Sequence, residues 1–316
     1  MKIGVSSCLL GNQCRYDGAG SKFDFVVDDL SKYFELVPYC PEEIIFGTPR
    51  ESIRLVDVNG EIRVISNQIQ KDVTNALTEI SQRLALKAFD DNLCGFIFKA
   101  KSPSCGIERV KLYANNSKMC EKKATGLFAK AVQEKQPFLP IEEDGRLNDP
   151  WLKENFLMQV FAYKDLGEFL NSKPTFKELV EFHTSYKYLI YAKSQESYKK
   201  LGAIVANHDK RDISEVLNDY KPAFLEAIGK KGNINKTYNV LLHIFGYFKK
   251  LIEKEEKEHI LVACDEYKQG IIPLIAVIKL INLYVTRFNE EYLKKQKFLN
   301  PYPKELALRS DIKAYK

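Results

Sequence analysis

Three of the seven cysteines in this 316-residue chain occupy closely similar settings: Ser6-Ser7-Cys8, Tyr39-Cys40-Pro41-Glu42 and Ser102-Pro103-Ser104-Cys105-Gly106. Each follows an apolar run and stands in a segment of Ser, Pro or Gly. If those runs are strands of one open α/β sheet, the loops at their carboxyl ends converge on one crevice, where ligands bind. Three thiols separated by 32 and 65 residues would then meet. No two of the three form a Cys-x-x-Cys pair, so the set matches neither a zinc ribbon nor a ferredoxin run. Three thiolates without a fourth suit an iron–sulfur cluster that keeps one iron open to substrate. The competing reading is that these cysteines are buried small apolar side chains. Cys14, Cys94, Cys120 and Cys264 lack the strand-end context and read as packing.

The elements that must position these loops alternate through the first half. Ile3-Gly4-Val5 reads as a short strand and Phe34 to Tyr39 as a second, while Ile53 to Ile65 reads as a hairpin turned by Asn59-Gly60. From Asp72, Val73, Leu77, Ile80 and Leu84 recur at helical spacing. Cys94 to Ala100 is another apolar strand, Thr125 to Lys135 another helix, and Phe138 to Ile141 a last strand. This alternation predicts an open, mainly parallel α/β sheet with helices. From Asn148 onward the pattern is helical: Trp151 to Leu170, Pro174-Thr175 to Lys193, then 195–207, 213–228, 236–257 and 271–296. The fold class expected is thus an α/β N-terminal domain over 1–165 and an all-α C-terminal domain over 166–316, divided where Gly167, Asn171 and Pro174 interrupt the pattern.

The length suggests two domains, and 45% hydrophobic with 28% charged residues excludes disorder, collagen and coiled coil. The longest apolar stretch, Ile271 to Ile278, is interrupted by Pro273 and is far short of the roughly 20 residues of a membrane span. The start MKIGVSSCLLGNQ has too short an apolar run for a secretory signal. An odd number of cysteines without an export signal points to a reducing cytoplasm, with thiols used as ligands or packing. The net charge of +6 is unevenly spread: residues 1–150 hold 20 Lys+Arg against 21 Asp+Glu, and residues 151–316 hold 28 against 21. The helical half, at +7, also interleaves Lys with Tyr186, Tyr188, Tyr191, Tyr198, Phe245, Tyr247 and Phe248. Basic and aromatic residues together can track phosphates and stack on bases. At helical spacing, most of those aromatics read as core and the lysines as a solvated face.

At the level of motifs, Ser7-Cys8-Leu9-Leu10-Gly11 with Arg15-Tyr16-Asp17-Gly18, Cys40-Pro41-Glu42, Pro49-Arg50-Glu51, Lys101-Ser102-Pro103-Ser104-Cys105-Gly106 and Gly145-Arg146-Leu147-Asn148-Asp149-Pro150 resemble the thiouracil desulfidase family over residues 1 to about 160. His183-Thr184-Ser185-Tyr186-Lys187-Tyr188-Leu189, Asn239-Val240-Leu241-Leu242-His243, Gly246-Tyr247-Phe248-Lys249-Lys250, Pro273-Leu274-Ile275 and Pro301-Tyr302-Pro303-Lys304-Glu305-Leu306 resemble the helical domain of unassigned function often fused to it. Together they resemble fused desulfidases that remove 4-thiouridine from tRNA. Glu43-Ile44-Ile45-Phe46 departs from the smaller, glycine-containing residues expected after the second cysteine.

The resemblance implies a [4Fe-4S] cluster held by Cys8, Cys40 and Cys105, with an open iron for the substrate sulfur. Carbon–sulfur cleavage at a thiocarbonyl needs a Lewis acid to take up sulfide and a base to activate water, without electron transfer. Glu42 is placed as the base, with its neighbour Glu43 a solvated acid, and Ser102 can orient water or pass a proton. Ser102 can equally cap a turn before Pro103. Arg15, Tyr16 and Asp17 either shape the pocket or hold the first loop. There is no GxGxxG and no Walker A, and His183, His208, His243 and His259 lack metal-ligand spacing; His183 and His243 read as helix-surface or core residues. If the helical half grips RNA, Lys187, Lys249, Lys250 and Arg309 are the candidates. The partner implied is thiolated tRNA, with no membrane and no obligate protein partner. The other readings are an iron–sulfur redox-sensing or regulatory protein that binds nucleic acid, and a non-enzymatic RNA-binding module with inert cysteines.

Overall fold

A computed structural model describes residues 1–115 and 119–306, and the chain splits into two units, Met1–Leu152 and a second beginning at Lys153. In the first unit the order is β1 (Lys2–Ser6), β2 (Glu35–Tyr39), α1 (Pro41–Phe46), β3 (Ile53–Val58), β4 (Glu61–Ser66), α2 (Thr74–Asp90), β5 (Leu93–Phe98), β6 (Val110–Ala114), β7 (Cys120–Ala124), α3 (Leu127–Lys135) and β8 (Ile141–Glu143). Four of these strands form a wholly parallel sheet in the order β2-β1-β5-β8. The middle strand β1 is buried on both faces, with Ile3 and Val5 fully covered, as expected of a parallel sheet covered by other elements. Gly4 is required there, because a Cβ would come within 2.3 Å of the Phe96 ring. Phe96 stacks on Phe98 at 4.0 Å between centroids, and Phe128 of α3 meets both rings edge-on at 5.6 and 5.7 Å. Helix α2 contributes Leu77, Ile80, Leu84 and Ala88 to the same interior.

The alternation of strand and helix thus produces the parallel sheet expected, together with a second sheet of which the apolar pattern showed the β3–β4 hairpin but not β6 and β7. Its order is β4-β3-β6-β7, with β3 antiparallel to β4 and parallel to β6. Asn59 and Gly60 turn the β3–β4 hairpin with positive φ at both residues, the requirement of a type I′ turn. The β6–β7 hairpin escaped notice because β7 reads Cys-Glu-Lys-Lys-Ala and is exposed along most of its length. The last strand begins at Ile141, later than the Phe138 expected, since Phe138 is exposed.

In the second unit the helices are α4 (Pro150–Asn171), α5 (Phe176–Lys193), α6 (Gln195–Ala206), α7 (Ile213–Gly229), α8 (Ile234–Phe245), α9 (Lys254–Lys268), α10 (Leu274–Arg287) and the short α11 (Glu291–Lys294). Gly167 does not mark a boundary. Helix α4 runs through it, at the roughly 1 kcal/mol a helical glycine costs, and ends at Asn171; the division between the units lies upstream of residue 165. Helix α5 starts on a full capping box between Thr175 and Glu178. The single helix expected over 236–257 is two. The first stops before Gly246, and the second is started afresh by a capping box between Glu253 and Glu256. The helix expected over 271–296 stops at Arg287, followed by Asn289 at φ 54°. The unit's core is continuous from Ala162 to Leu299 and includes Tyr186, Tyr220, Phe224 and Phe248, all essentially fully buried. No helix among the described residues is long and apolar enough to cross a membrane.

Candidate active site

Strands β2, β1 and β5 are neighbours and parallel, so their carboxyl ends lie side by side, and each is followed by one of the three singled-out cysteines. The order places a switch in chain direction between β1 and β5, the position at which open α/β sheets bind ligands. After β1 the chain makes a 3-10 turn over Ser7–Leu10 that carries Cys8, then reverses at Gly11 with φ 91°. After β2, Cys40 is the N-cap of α1 with Pro41 at the first helical position, and its Sγ accepts the Glu43 backbone N–H. After β5, Ser6 Oγ accepts the Lys99 N–H at 2.9 Å, tying the ends of β1 and β5 together. The Cys105 loop is clamped onto the start of α3. The Phe128 and Ala129 N–H groups both donate to the Ser104 carbonyl, and a Cβ at Gly126 would strike that carbonyl at 2.5 Å.

These loops enclose a cavity of about 240 Å³ whose lining includes Cys8, Cys14, Cys40, Cys105, Glu42 and Ser102. The five residues assigned a role in cluster binding or catalysis from sequence therefore share one pocket. Cys94, Cys120 and Cys264 do not line it. Cys14 does, which corrects its assignment to packing. Six residues beyond Cys8, the fold-back after Gly11, with the Ser21 N–H bonded to the Cys8 carbonyl, returns it to the same crevice. The Sγ atoms of Cys14 and Cys40 and a Glu43 carboxylate oxygen lie within 4.8 Å of one another, although Glu43 is otherwise exposed. The four cysteines of the pocket are free thiols.

The thiols share their protons unequally. Hydrogen bonds from Cys40 and Cys8 pull Cys14 down to about 3. Cys8 and Cys40 are pushed up, first by bonding to Cys14 and then by burial. Burial pushes Cys105 up to about 12.

Glu42 occupies the first turn of α1 and is held on three sides. Its carboxylate pairs with the Arg50 guanidinium at 3.0 Å, both side chains being largely buried. It accepts from Ser104 Oγ at 2.7 Å and from Ser102 Oγ at 3.4 Å. Ser102 Oγ also accepts the backbone N–H groups of Ser104 and Cys105 at 3.2 and 3.1 Å. It is thus both the turn cap and a partner of Glu42. Arg50 donates further to the carbonyls of Cys14 and Gly47 at 2.9 and 3.0 Å, while its Nε is buried without a hydrogen-bond partner among the described residues. Arg15 and Tyr16 line the pocket, and Asp17 pairs with Arg15 and accepts the Ala19 N–H, so this segment both shapes the wall and holds its own loop. Ser104 and Arg50 are the functional side chains that residue-by-residue reasoning missed. Their motifs, Ser-Pro-Ser-Cys and Pro-Arg-Glu, were visible, but what each bonds depends on the fold.

In the helical unit His183 is buried, its Nδ1 3.3 Å from Tyr220 Oη, and burial lowers its pKa to about 4. His243 is exposed beside Tyr191. Lys187 is half-buried among tyrosine rings, Lys249 and Lys250 are exposed on the turn after α8, and Arg309 lies outside the described residues.

A family model described as 2-thiouracil desulfurase matches residues 3–144, and one described as a protein of unknown function matches residues 187–303. Among curated proteins, YbbK of Bacillus subtilis (strain 168) is 32% identical over 155 residues, 46% of this chain and 97% of its own length. YbgA of Escherichia coli (strain K12) is 28% identical over 157 residues, 49% of this chain and 93% of its own length. Both are described as uncharacterized. A solved structure titled as the [4Fe-4S]-dependent thiouracil desulfidase TudS is 26% identical, with a TM-score of 0.38, over 47% of this chain and 93% of that one.

Proposed function

The chain belongs to the 2-thiouracil desulfurase family through its first unit, and from that premise we propose that it removes sulfur from 4-thiouridine in tRNA, leaving uridine and releasing sulfide. The observation that carries the reading is the meeting of four thiols and one ion-paired carboxylate in a single pocket. The donor set fits an iron–sulfur cofactor: soft, unpaired thiols on rigid strand ends, without the histidine or acidic majority that harder metals select. Cys8, Cys40 and Cys105 would hold a [4Fe-4S] cluster. When bound, the cluster supplies an open iron, a Lewis acid toward the thiocarbonyl sulfur.

The chain's own residues perform the remainder. Water adds to the carbon that carries sulfur and the carbon–sulfur bond breaks, so that C=S and H₂O become C=O and H₂S with no change of oxidation state. One proton of the water passes to Glu42 and the other leaves with the sulfur as HS⁻, which the Glu42 proton can then neutralise. Arg50 and Ser104 fix the direction of the Glu42 carboxylate, so that no reorganisation is needed during the reaction. Ser102 keeps the Cys105 loop closed while bonding the same carboxylate. The preference for RNA is supported by the +7 balance of the helical half and by its tyrosines and lysines.

The test is anaerobic reconstitution of the full chain, followed by measurement of sulfide released from thiolated tRNA and from free thiouracil. Iron-dependent sulfide release, with tRNA the better substrate, is the expected result. Release from the free base alone would refute the tRNA assignment, and an iron-loaded protein inert toward both would refute the desulfidase reading.

A further inference from the structure

Helices α5 and α6 share one residue as a joint cap: Ser194 ends the first, and its side chain accepts the Ser197 N–H to begin the second. The turn is therefore tight, and side chains from both helices face one another beside α8. Lys187, Tyr188 and Tyr191 from α5, Tyr198 and Lys199 from α6, and His243 from α8 line a cavity of about 220 Å³. The Tyr191 and Tyr198 rings lie 5.2 Å apart at 49°, and His243 meets Tyr191 edge-on at 5.5 Å. Both tyrosines are half-exposed, so each offers part of a ring face to a ligand. The Lys187 ammonium lies 6.0 Å from the centroids of Tyr188 and Tyr198. Neither Lys187 nor Lys199 has an ion-pair partner among the described residues, and no acid lines the cavity.

We propose that this cavity binds one unstacked nucleotide of an RNA strand, its base against Tyr191 and Tyr198 and its phosphate between Lys187 and Lys199. A ligand suited to it must be flat, to use two tilted ring faces, and anionic, to use two unpaired ammonium groups; a nucleotide is both. Exposed aromatic faces beside lysines are the usual platform for single-stranded nucleic acid, and they tolerate any base. The assignment rests on the tRNA reading above and gives it a location within the helical unit.

The experiment uses the full-length, cluster-loaded protein with two probes, an unmodified tRNA transcript and a single-stranded RNA hexamer carrying 5-iodouridine. Affinity is followed by fluorescence anisotropy over a range of salt. Tyr191→Leu and Tyr198→Leu keep the packing but remove the stack, and are expected to weaken hexamer binding by roughly five- to 150-fold without altering the salt slope. Tyr198→Phe keeps the ring and binds like the parent chain. Lys187→Gln and Lys199→Gln each reduce the log–log salt slope by about 0.7, one phosphate on a single strand. Illumination crosslinks the iodouridine within residues 187–199 or at His243. Binding within twofold of the parent for every variant, or crosslinks confined to other segments, overturns the pocket while leaving the tRNA reading intact. A parent chain that binds neither RNA overturns both.

Discussion

Replacing Glu42 by Gln separates the chemistry of the pocket from its architecture. The carboxylate accepts three hydrogen bonds, from Ser104 at 2.7 Å, Arg50 at 3.0 Å and Ser102 at 3.4 Å. The amide keeps the volume and one accepting oxygen. The Arg50 guanidinium loses the opposing charge of a largely buried pair, a loss of about 3–5 kcal/mol, and turning Ser104 to face the new NH₂ group costs no more than one ordinary hydrogen bond, about 1 kcal/mol. Arg50 keeps its carbonyl acceptors on Cys14 and Gly47, which satisfy its N–H groups but do not replace the lost counter-charge. The total of about 4–6 kcal/mol lowers the unfolding temperature but stays within the stability of most domains, about 5–15 kcal/mol. The amide cannot take a proton, and loss of a general base removes a factor of about 10²–10⁴ in rate, roughly 3–5 kcal/mol of barrier. Turnover should therefore collapse while folding and iron content hold. The assay is sulfide release per mole of iron, with thermal unfolding measured in parallel. A variant that turns over within about threefold of the parent at equal iron would show that Glu42 is not the base, and Glu43, whose carboxylate lies beside Cys14 and Cys40, becomes the residue to substitute.

Four further outcomes are expected. Cys8→Ala, Cys40→Ala and Cys105→Ala each lose iron and sulfide on reconstitution, whereas Cys94→Ala, Cys120→Ala and Cys264→Ala retain both; a full complement of iron in any of the first three would remove that residue from the ligand set. Cys14→Ala keeps its iron, because Arg50 anchors the Cys14 backbone carbonyl and the side chain is a fourth thiol in a set needing three; iron analysis again decides. Ser102→Ala frees the backbone N–H groups of Ser104 and Cys105 and so reduces iron retention as well as activity, while Ser104→Ala lowers activity at constant iron; the reverse pattern would contradict these bonds. His183, held neutral by burial with a pKa of about 4, binds fewer protons folded than unfolded between pH 4 and about 6.5. Stability is accordingly lost as pH falls through that window, by about 2 kcal/mol at pH 5, and denaturant midpoints should show a flatter acid limb in His183→Gln.

The parts of this structure legible from residue order are those whose apolar pattern is strong. Leu93–Phe98 reads as a strand because it is buried along nearly all its length, and the helix through Leu77, Ile80 and Leu84 follows from periodicity. Helix α1 has six residues, too few for any period to register. The convergence of Cys8, Cys40 and Cys105 could be anticipated because strand ends in a parallel sheet obey a topological rule. Cys14 could not, since it enters the pocket through a loop reversal rather than at a strand end. Ser104 was obscured by Ser102, the residue that local turn chemistry favours; only the fold shows that Ser104 Oγ makes the shorter bond to Glu42. The break within the helix expected over 236–257 was hidden because the second helix starts on a capping box of two glutamates, without the Ser or Thr by which such starts are ordinarily recognised.

The parallel register of β1 with β5 also governs the order of assembly. Gly4 pairs with Phe96 and Ser6 with the loop after β5, contacts between residues more than ninety positions apart. Closing so long a segment is slow, and the contacts that reward it form late. Cys8 and Cys105 consequently line one cavity only in a chain whose central sheet has already zipped. A small zinc-dependent module behaves differently, since there the metal gathers an unfolded peptide around itself. In this protein the iron would arrive at a finished vessel. Iron shortage should leave folded, empty molecules able to be recharged, and oxidative loss of the metal should be a reversible injury as long as the free thiols in the pocket stay reduced.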